Sequence, residues 1–229
     1  MPVFIGRDRE ARRCYGFDEI ALAPGELTVN PAEVDTSVSI GGVRLAIPFL
    51  ASAMDGVVDA RFAAAMGKSG GLGVLNLDGI STRYEKPREV ALQIAGAGIE
   101  EATRLVQDLY REPPKEHLIA KRIEEIKKAK VPCAVSTIPQ NAERYGAIAE
   151  EAGCDLFFIQ STVTTVRHQA TKYKPFDIAK FCKKSKMPVV VGNCVTYPVA
   201  LDLMEAGAAG ILVGVGPGAA CTTRGVLGL

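Results

Sequence analysis

A glycine-rich loop that ends on a cysteine is the segment of this chain best suited to covalent chemistry. Residues 213–224 read VGVGPGAACTTR, so glycines at 214, 216 and 218 precede Cys221 and Thr223. Glycines at alternate positions let the backbone adopt positive φ angles and turn its amides and carbonyls toward a ligand or a cation. A thiolate at the end of such a loop can be stabilised by those amides and remain open to a substrate. The residue types therefore predict a nucleophilic cysteine.

Two other segments combine small and polar residues in the same way. Residues 51–56 read ASAMDG and residues 191–196 read VGNCVT, each at the end of an apolar run. A lone glycine-rich loop is more often structural, and singly Met54 could be a core residue, Asn193 a helix cap and Ser52 a buried hydroxyl. Together the three segments favour one shared site, because the carboxyl ends of parallel strands lie on one face.

Six short apolar runs, each with an amphipathic segment nearby, are typical of consecutive βα units on a parallel sheet covered on both faces. Glycine after three of the helices supplies the left-handed C-cap at which a helix ends. The pattern predicts an α/β fold, a TIM (β/α)8 barrel rather than a doubly wound sheet, with only the first six βα units in this chain. The strands are predicted at 47–53, 72–75, 133–136, 156–159, 188–191 and 210–213, and the helices at 59–68, 99–110, 115–130, 141–151, 176–184 and 197–205.

The expected domain organisation is a single barrel domain over residues 1–229 that is incomplete at its C-terminus. Six strands would leave two open edges and an unfilled interior, so the chain alone is expected to be inactive and poorly folded. Residues 78–130 are long, charged and helical, and are predicted to be an insertion between strands 2 and 3. Within them, residues 122–128 (RIEEIKK) predict a solvated helix face.

Composition excludes several classes of partner. The 229 residues include 27 basic and 26 acidic side chains, a net charge of +1, which argues against binding to nucleic acid or anionic membranes. Apolar stretches are much shorter than the roughly 20 residues of a membrane helix, and the N-terminus lacks the apolar core of a signal peptide. A cytoplasmic protein with a small-molecule partner is predicted. Six cysteines without a C-x-x-C pair, and two histidines, argue against a disulfide framework or structural zinc.

Four segments in order along the chain carry a family resemblance. Residues 17–24 (FDEIALAP) are similar to F-D-D-V-L-L-x-P, residues 52–57 (SAMDGV) to S-x-M-D-T-V, residues 192–196 (GNCVT) to G-N-V-x-T, and residues 214–224 to G-x-G-P-G-S-x-C-T-T-R. Over nearly its whole length the chain resembles the IMP dehydrogenase/GMP reductase family. Because residues 78–130 are too short for a pair of CBS domains, it resembles the subgroup of IMP dehydrogenase-related proteins.

The resemblance implies a covalent mechanism and assigns the residues of a site. A cysteine of the family attacks purine carbon 2, and hydride then passes between the adduct and NAD or NADP; a threonine two residues on helps to activate water or ammonia. The residues that match family positions are catalytic Cys221 and Thr223; Ser52, Met54, Asn193 and Gly218 at the purine nucleotide; Gln160, Ser161 and Gly214 at the cofactor; and the carbonyls of Gly216, Gly218 and Cys221 at a potassium ion.

Two positions depart from the family pattern. Ala219 replaces a serine that contacts the nucleotide phosphate, so the phosphate would depend more on backbone amides. Gln160 replaces an aspartate that holds the cofactor ribose, which loses a charge-assisted hydrogen bond and implies altered cofactor geometry. His168 is expected at the surface, without a role.

Three functions remain open from the sequence. The resemblance favours an IMP dehydrogenase, which converts IMP, NAD and water to XMP and NADH, in a protein that is a homotetramer when full length. A GMP reductase, which converts GMP and NADPH to IMP, ammonia and NADP, would use the same residues. A non-catalytic binder of purine nucleotides is the third alternative, because Ala219 and Gln160 depart from the pattern.

Overall fold

The computed structural model describes residues 3–7, 9–11, 15, 19–171, 175–216, 221 and 223. The chain divides into two compact units, residues 1–35 and 36–229. In the first unit, β1 (Val3–Ile5) pairs antiparallel with β2 (Arg9–Ala11), and a 3-10 turn spans Pro31–Glu33. Within the described part of the chain, no helix has both the length and the apolar character needed to span a bilayer.

The second unit contains a six-stranded, all-parallel sheet in which sequence neighbours are spatial neighbours. Its strands are β5 (Leu50–Ala51), β6 (Leu72–Asn76), β7 (Ala134–Thr137), β8 (Leu156–Gln160), β9 (Val189–Cys194) and β10 (Gly210–Val213), in the order β10-β9-β8-β7-β6-β5. This sequential order is that of a half-barrel. It confirms the predicted α/β class and the first six strands of a TIM barrel.

The described part of the second unit contains eight α-helices. They are α1 (Ala60–Lys68), α2 (Ile80–Arg83), α3 (Pro87–Gly96), α4 (Ile99–Leu109), α5 (Glu116–Lys127), α6 (Ala142–Glu151), α7 (Ile178–Lys184) and α8 (Tyr197–Glu205), of which α1, α6 and α8 contact the strands of the sheet directly. Six of the eight were predicted from periodicity, and the boundaries agree within three residues. Asp59 caps α1 by accepting a hydrogen bond from the Phe62 backbone N–H at 2.7 Å, which sets where that helix begins.

The sheet separates two apolar layers, because successive side chains of each strand point to opposite faces. On the helix side, Leu75, Val135, Phe157 and Val191 pack among buried residues of the helices. On the other side, the inner core cluster contains Leu72, Val74, Ala134, Leu156, Phe158 and Val190 from the strands, with Leu45 from the hairpin of β3 (Val38–Ile40) and β4 (Val43–Leu45).

The segment from 78 to 130 is helical, as predicted, and its last helix is part of the layer that covers the sheet. Helix α5 packs against both α1 and α6, and Leu118, Ile119, Ile123 and Ile126 are fully buried. The prediction of a solvated face over residues 122–128 holds for Glu124 and Lys128 but is wrong for Arg122, which is 4% exposed. Arg122 is buried because backbone carbonyls of the preceding helices accept its hydrogen bonds.

Candidate active site at the carboxyl ends of the strands

Backbone hydrogen bonds join the loop after β8 to the end of β9. The Ser161 N–H donates to the carbonyl of Gly192 at 3.0 Å, and the Asn193 N–H donates to the carbonyl of Ser161 at 3.1 Å. The Thr164 N–H donates to the carbonyl of Asn193 at 2.9 Å, so the pairing continues beyond the last ladder pair, Gln160 with Gly192. The loop after β8, which carries Ser161, and the end of β9, which carries Asn193, therefore form one continuous surface.

The Asn193 side chain extends this surface to the glycine-rich loop. Its Nδ2 donates to the carbonyl of Gly214 at 2.8 Å, and the Gly214 N–H donates to the carbonyl of Cys194 at 2.8 Å. Gly214 has a φ of +116°, a conformation that a side chain would disfavour. The alternative role of Asn193 as a helix cap is wrong, because residue 196 precedes α8 and the Asn193 amide is directed at Gly214. These hydrogen bonds bring Ser161, Asn193 and Gly214 together, and their roles at the cofactor and at the nucleotide stay predictions.

Thr164 is a site residue that the sequence analysis did not identify. It is 4% exposed, and its hydroxyl lies 2.7 Å from the Gly192 carbonyl and 2.8 Å from the Ser161 hydroxyl. The Ser161 hydroxyl also lies 2.8 Å from the Val163 carbonyl, so Thr164 and Val163 are alternative acceptors for its one proton. These bonds fix the Ser161 side chain on a buried threonine. A short polar run after a buried strand (residues 160–165, QSTVTT) is the only sequence signal for it.

A cavity of about 580 Å³ opens beside this junction. Its walls come from the turn after β7, the loop after β8 and the start of α7. Apolar side chains (Pro139, Val163, Phe176, Ile178) face polar ones (Gln140, Glu143, Ser161, Thr164, Thr165, His168, Asp177, Lys180). A mixed lining and a volume within about 300–1,000 Å³ are typical of small-molecule and cofactor sites. His168 is exposed, as expected, but it lines this cavity.

Gln160 is the last residue of β8 and is half-buried next to the cavity residue Ser161. Gln160 itself does not line the cavity, so its contact with the cofactor ribose stays a prediction. Its neutral amide can donate or accept a hydrogen bond but carries no charge.

Ser52 and Met54 follow β5, at the opposite edge of the sheet from β10. Ser52 is exposed and Met54 is 55% exposed, so their alternative roles as a buried hydroxyl and a core residue are wrong. The Met54 N–H donates to the Ser52 carbonyl at 2.8 Å, and the Val58 N–H donates to the Met54 carbonyl at 2.9 Å, which makes a tight turn. Both residues follow the carboxyl end of β5, the same end of the parallel sheet at which the other predicted site residues lie.

The neighbouring Asp55 belongs to the motif at residues 52–57, but the sequence alone assigns it no role. Its carboxylate accepts hydrogen bonds from the backbone N–H of Ile80 at 2.9 Å and from the hydroxyl of Tyr110. Burial, together with this hydrogen bond to Asp55, raises the pKa of Tyr110 above its ordinary value. Asp55 therefore ties the turn that carries Met54 to the helical segment between β6 and β7.

The glycine-rich loop is described only in part. Cys221 is exposed and Thr223 is half-buried, whereas Gly218 and Ala219 lie outside the described residues, as do Phe17 and Asp18 of the first motif. Gly216 has a φ of +61°, a left-handed conformation that favours glycine. Where residues are described, no cluster of three or more His, Cys, Asp or Glu side chains could hold a metal ion. A potassium site made of carbonyls stays a prediction.

Cys221 differs from the other described cysteines in its environment. Cys133, Cys154 and Cys194 are buried, and Cys182 is half-buried. Hydrogen bonding to Cys154 and burial raise the pKa of the Cys133 thiol, and burial raises the pKa of Cys182 and of Cys194. Those three thiols therefore form thiolates less readily than an ordinary cysteine, and among the described cysteines Cys221 is the exposed one.

Comparison with known proteins gives concordant results. Residues 14–229 match the family model of the IMP dehydrogenase / GMP reductase domain. The chain is 34% identical over 233 residues to an uncharacterized oxidoreductase of Mycolicibacterium smegmatis. It is 29% identical over 241 residues to the inosine-5'-monophosphate dehydrogenase of Borreliella burgdorferi, across 93% of this chain and 56% of that protein.

A solved structure shows the same fold. The IMP dehydrogenase/GMP reductase-like protein from Corynebacterium glutamicum superposes with a TM-score of 0.89 at 33% sequence identity. The match covers 99% of this chain and 60% of that chain. The match to the M. smegmatis oxidoreductase likewise covers 99% of this chain and 62% of the relative, so the chain spans about three-fifths of the length of these proteins.

Proposed function

The chain belongs to the IMP dehydrogenase/GMP reductase domain family, and from this membership we propose that it is an oxidoreductase that acts at carbon 2 of a purine nucleotide, with Cys221 as the nucleophile. The observation that carries the proposal is the junction of Ser161, Asn193 and Gly214 at the strand ends, beside a cavity of about 580 Å³. The cavity offers space for a cofactor beside the nucleotide, next to the glycine-rich loop that leads to Cys221. We propose IMP dehydrogenation as the direction of the reaction.

Cys221 would begin the reaction. Its thiolate adds to carbon 2 of IMP, which becomes tetrahedral, so that the hydrogen on that carbon can leave with its electron pair. Because Cys221 is exposed, a planar purine can approach the sulfur from solvent. Met54 and Ser52, exposed on the same face, would contact the nucleotide.

The cavity fits a nicotinamide dinucleotide in its chemistry. Ser161, Thr164, Thr165 and Gln140 supply hydrogen-bonding groups for ribose hydroxyls, and Val163 and Phe176 supply apolar surface for a ring. When bound, NAD accepts the hydride from the purine. The residues of this chain would hold it against the strand ends, with Ser161 fixed by Thr164 and Gln160 at the ribose.

Hydrolysis would complete the turnover. Thr223 would help to activate a water molecule, which adds to carbon 2 of the oxidised adduct and expels the Cys221 thiolate, releasing XMP. The balance is one IMP, one NAD and one water to one XMP, one NADH and one proton. The carbonyls of Gly216, Gly218 and Cys221 are proposed to hold potassium, which would order the loop that carries the nucleophile.

Mass spectrometry of the intact protein tests this proposal. The protein is incubated with IMP and NAD and, separately, with GMP and NADPH, and the mass of the peptide that contains Cys221 is determined together with the nucleotide products. We expect an adduct on Cys221 and XMP in the first mixture. The variant C221S should form neither, whereas C182S, which removes a half-buried thiol, should behave as the wild type.

The other outcomes are equally informative. IMP and ammonia from the second mixture would replace the dehydrogenase with a GMP reductase that uses the same cysteine. If neither mixture gives an adduct or a product while the nucleotides bind, the covalent mechanism is wrong and the protein is a binder of purine nucleotides.

A further inference from the structure

Asp78, the second residue after β6, accepts three hydrogen bonds from the turn between β7 and α6. Its Oδ2 accepts from the Thr137 hydroxyl at 2.7 Å and from the Ile138 backbone N–H at 2.9 Å. Its Oδ1 accepts from Asn141 Nδ2 at 2.6 Å. Thr137 ends β7, and Asn141 immediately precedes α6. One carboxylate therefore holds both ends of the turn that joins strand and helix.

The same turn forms one wall of the cavity. Pro139 and Gln140 lie between the anchored residues, and Glu143 lies in the first turn of α6; all three line the cavity. Asp78 itself does not line it, so its influence on a ligand there would pass through the turn.

Asp78 is well placed to act as a fixed anchor. Its backbone N–H donates to Asn76 Oδ1 at 3.0 Å, and its carbonyl accepts from Arg83 Nη2 at 2.9 Å. Because both the N–H and the carbonyl of Asp78 are hydrogen-bonded, the position of its backbone does not depend on the turn that the carboxylate binds. Thr137 is 2% exposed, so water could not replace the carboxylate as the acceptor of its hydroxyl. Loss of the carboxylate would therefore leave that hydroxyl buried without a hydrogen bond to Asp78.

We propose that Asp78 is a positioning residue for the cofactor: it holds residues 137–141 in the conformation that forms the cofactor wall of the cavity. The inference rests on the proposed function only in naming the ligand as a nicotinamide dinucleotide. Whether Asp78 anchors the turn does not depend on the ligand, and hydrogen exchange of the turn measures it separately.

Three variants of the full chain test the proposal. D78A removes all three acceptors. D78N is the conservative rescue. Its side-chain carbonyl can accept from Thr137 and Ile138, and its NH2 group can donate to the side-chain oxygen of Asn141 once the Asn141 amide is flipped. D155A is the matched control, since Asp155 accepts from the Cys133 backbone N–H at 2.8 Å and from Lys127 at the opposite end of β7.

Two measurements are made on each variant. Calorimetric titration gives the dissociation constants of NAD and NADP, and hydrogen exchange gives the protection of the amides of residues 138–143. We expect D78A to weaken dinucleotide binding about tenfold and its amides of residues 138–143 to exchange faster. The dissociation constants of D78N should stay within about threefold of those of the wild type. D155A should match the wild type in both measurements. The affinity for IMP should be the same in all four proteins.

The outcomes separate the two proposals. If the wild type binds NAD or NADP and D78A binds it equally well, the positioning role is overturned. If the wild type binds neither dinucleotide, the proposed function fails, and hydrogen exchange over residues 138–143 alone tests the anchoring of the turn. Equal exchange in D78A and D155A would overturn the anchoring. Faster exchange in D78A only would support it.

Discussion

At the scale of single residues, the exposure of Cys221 predicts that it is the most reactive of the described thiols. Buried thiols with a raised pKa, such as Cys133 and Cys194, present little thiolate to an alkylating reagent. We expect iodoacetamide to modify Cys221 at least about tenfold faster than Cys133, Cys182 or Cys194. Peptide mass spectrometry over a time course gives the rates, and IMP should protect Cys221 selectively. Equal rates at Cys182 and Cys221 would contradict the assigned nucleophile.

Gln160 gives a second prediction at this scale. A carboxylate at the end of β8 would accept a charge-assisted hydrogen bond from a ribose hydroxyl, which is about twice as strong as a neutral one. It would also repel the additional phosphate of NADP. We therefore expect Q160D to tighten NAD binding by about threefold and to weaken NADP binding by at least as much.

Calorimetric titration of both cofactors measures the effect of Q160D. The variant T162D carries the same new charge two residues further along the chain and serves as the control for a general change in the field. If T162D changes the ratio of the two affinities as much as Q160D does, Gln160 does not contact the ribose.

Single residues also show what the sequence could predict of the site. The position of Asn193 was predictable because it follows a buried apolar run and parallel strands end on one face. Ser161 was expected only through the family resemblance. The anchors were not predictable in the same way. Asp78 is separated from Thr137 and Asn141 by 59 and 63 residues, and Asp55 from Tyr110 by 55 residues, and no local pattern encodes such pairs.

At the scale of elements, Tyr110 joins the end of α4 to the turn that carries Met54. Its hydroxyl donates to Asp55, and the guanidinium of Arg83 lies over its ring, 5.0 Å from the centroid. The pKa of Tyr110 is raised above its ordinary value of 10.0 by burial and by Asp55. In the folded state the proton is held more tightly than in the unfolded state, so this contact stabilises fully below pH 10 and is lost as the pH rises further.

This gives a pH dependence that one substitution removes. Between about pH 9 and about pH 11 we expect the free energy of unfolding of the wild type to fall more steeply than that of Y110F, which keeps the ring but cannot ionise. Urea unfolding at several pH values gives both slopes, and lysines that titrate in this range affect the two proteins equally. Parallel slopes would show that Tyr110 does not hold its proton through Asp55.

Arg122 provides the second prediction at the scale of elements. Its guanidinium donates to the carbonyls of Ser81, Tyr84 and Glu85, at 2.9, 3.1 and 2.8 Å, and so ties α5 to the end of α2. Truncation would leave these carbonyls without their donor inside the protein. We expect R122M to lower the free energy of unfolding by about 2–4 kcal/mol.

Denaturant unfolding measures this loss. K128M removes an exposed basic residue from the same helix segment and should change stability by less than about 0.5 kcal/mol. A loss in R122M no larger than in K128M would mean that water replaces the guanidinium at these carbonyls.

The predictability of the elements follows from their burial. The four central strands, β6 to β9, were predictable because strands covered on both faces are apolar throughout. At the edges, β5 has only two residues, Leu50 and Ala51, of the predicted 47–53, and Val213 of β10 is 74% exposed. Helix α2 has four residues, too few for a 3.6-residue period to show, and the hairpin strands β3 and β4 have three residues each. Arg122 looked solvated because its neighbours are charged, and its acceptors lie about 40 residues away.

At the scale of the whole molecule, the β3–β4 hairpin covers the inner face of the half-barrel at the amino ends of its strands. Gly41 and Gly42 form the hairpin turn with φ angles of +55° and +86°, and Gly41 lies against Pro188 and Ala209, just before β9 and β10. From β4, Leu45 joins the inner core cluster of strand residues and is 2% exposed. The hairpin thereby supplies apolar contacts to a face that the helices do not reach.

If the hairpin is part of the same cooperative structure as the sheet, loss of Leu45 must destabilise the whole second unit. We expect L45A to lower the free energy of unfolding by about 2–5 kcal/mol, the range for a buried leucine, in a single transition. L92A makes the same change at a side chain that is 63% exposed on α3 and should cost less than about 1 kcal/mol. Circular dichroism and hydrogen exchange during urea unfolding report on both. A separate early transition confined to residues 38–45 would show instead that the hairpin folds independently of the sheet, because the strand amides would then keep their protection while the hairpin opened.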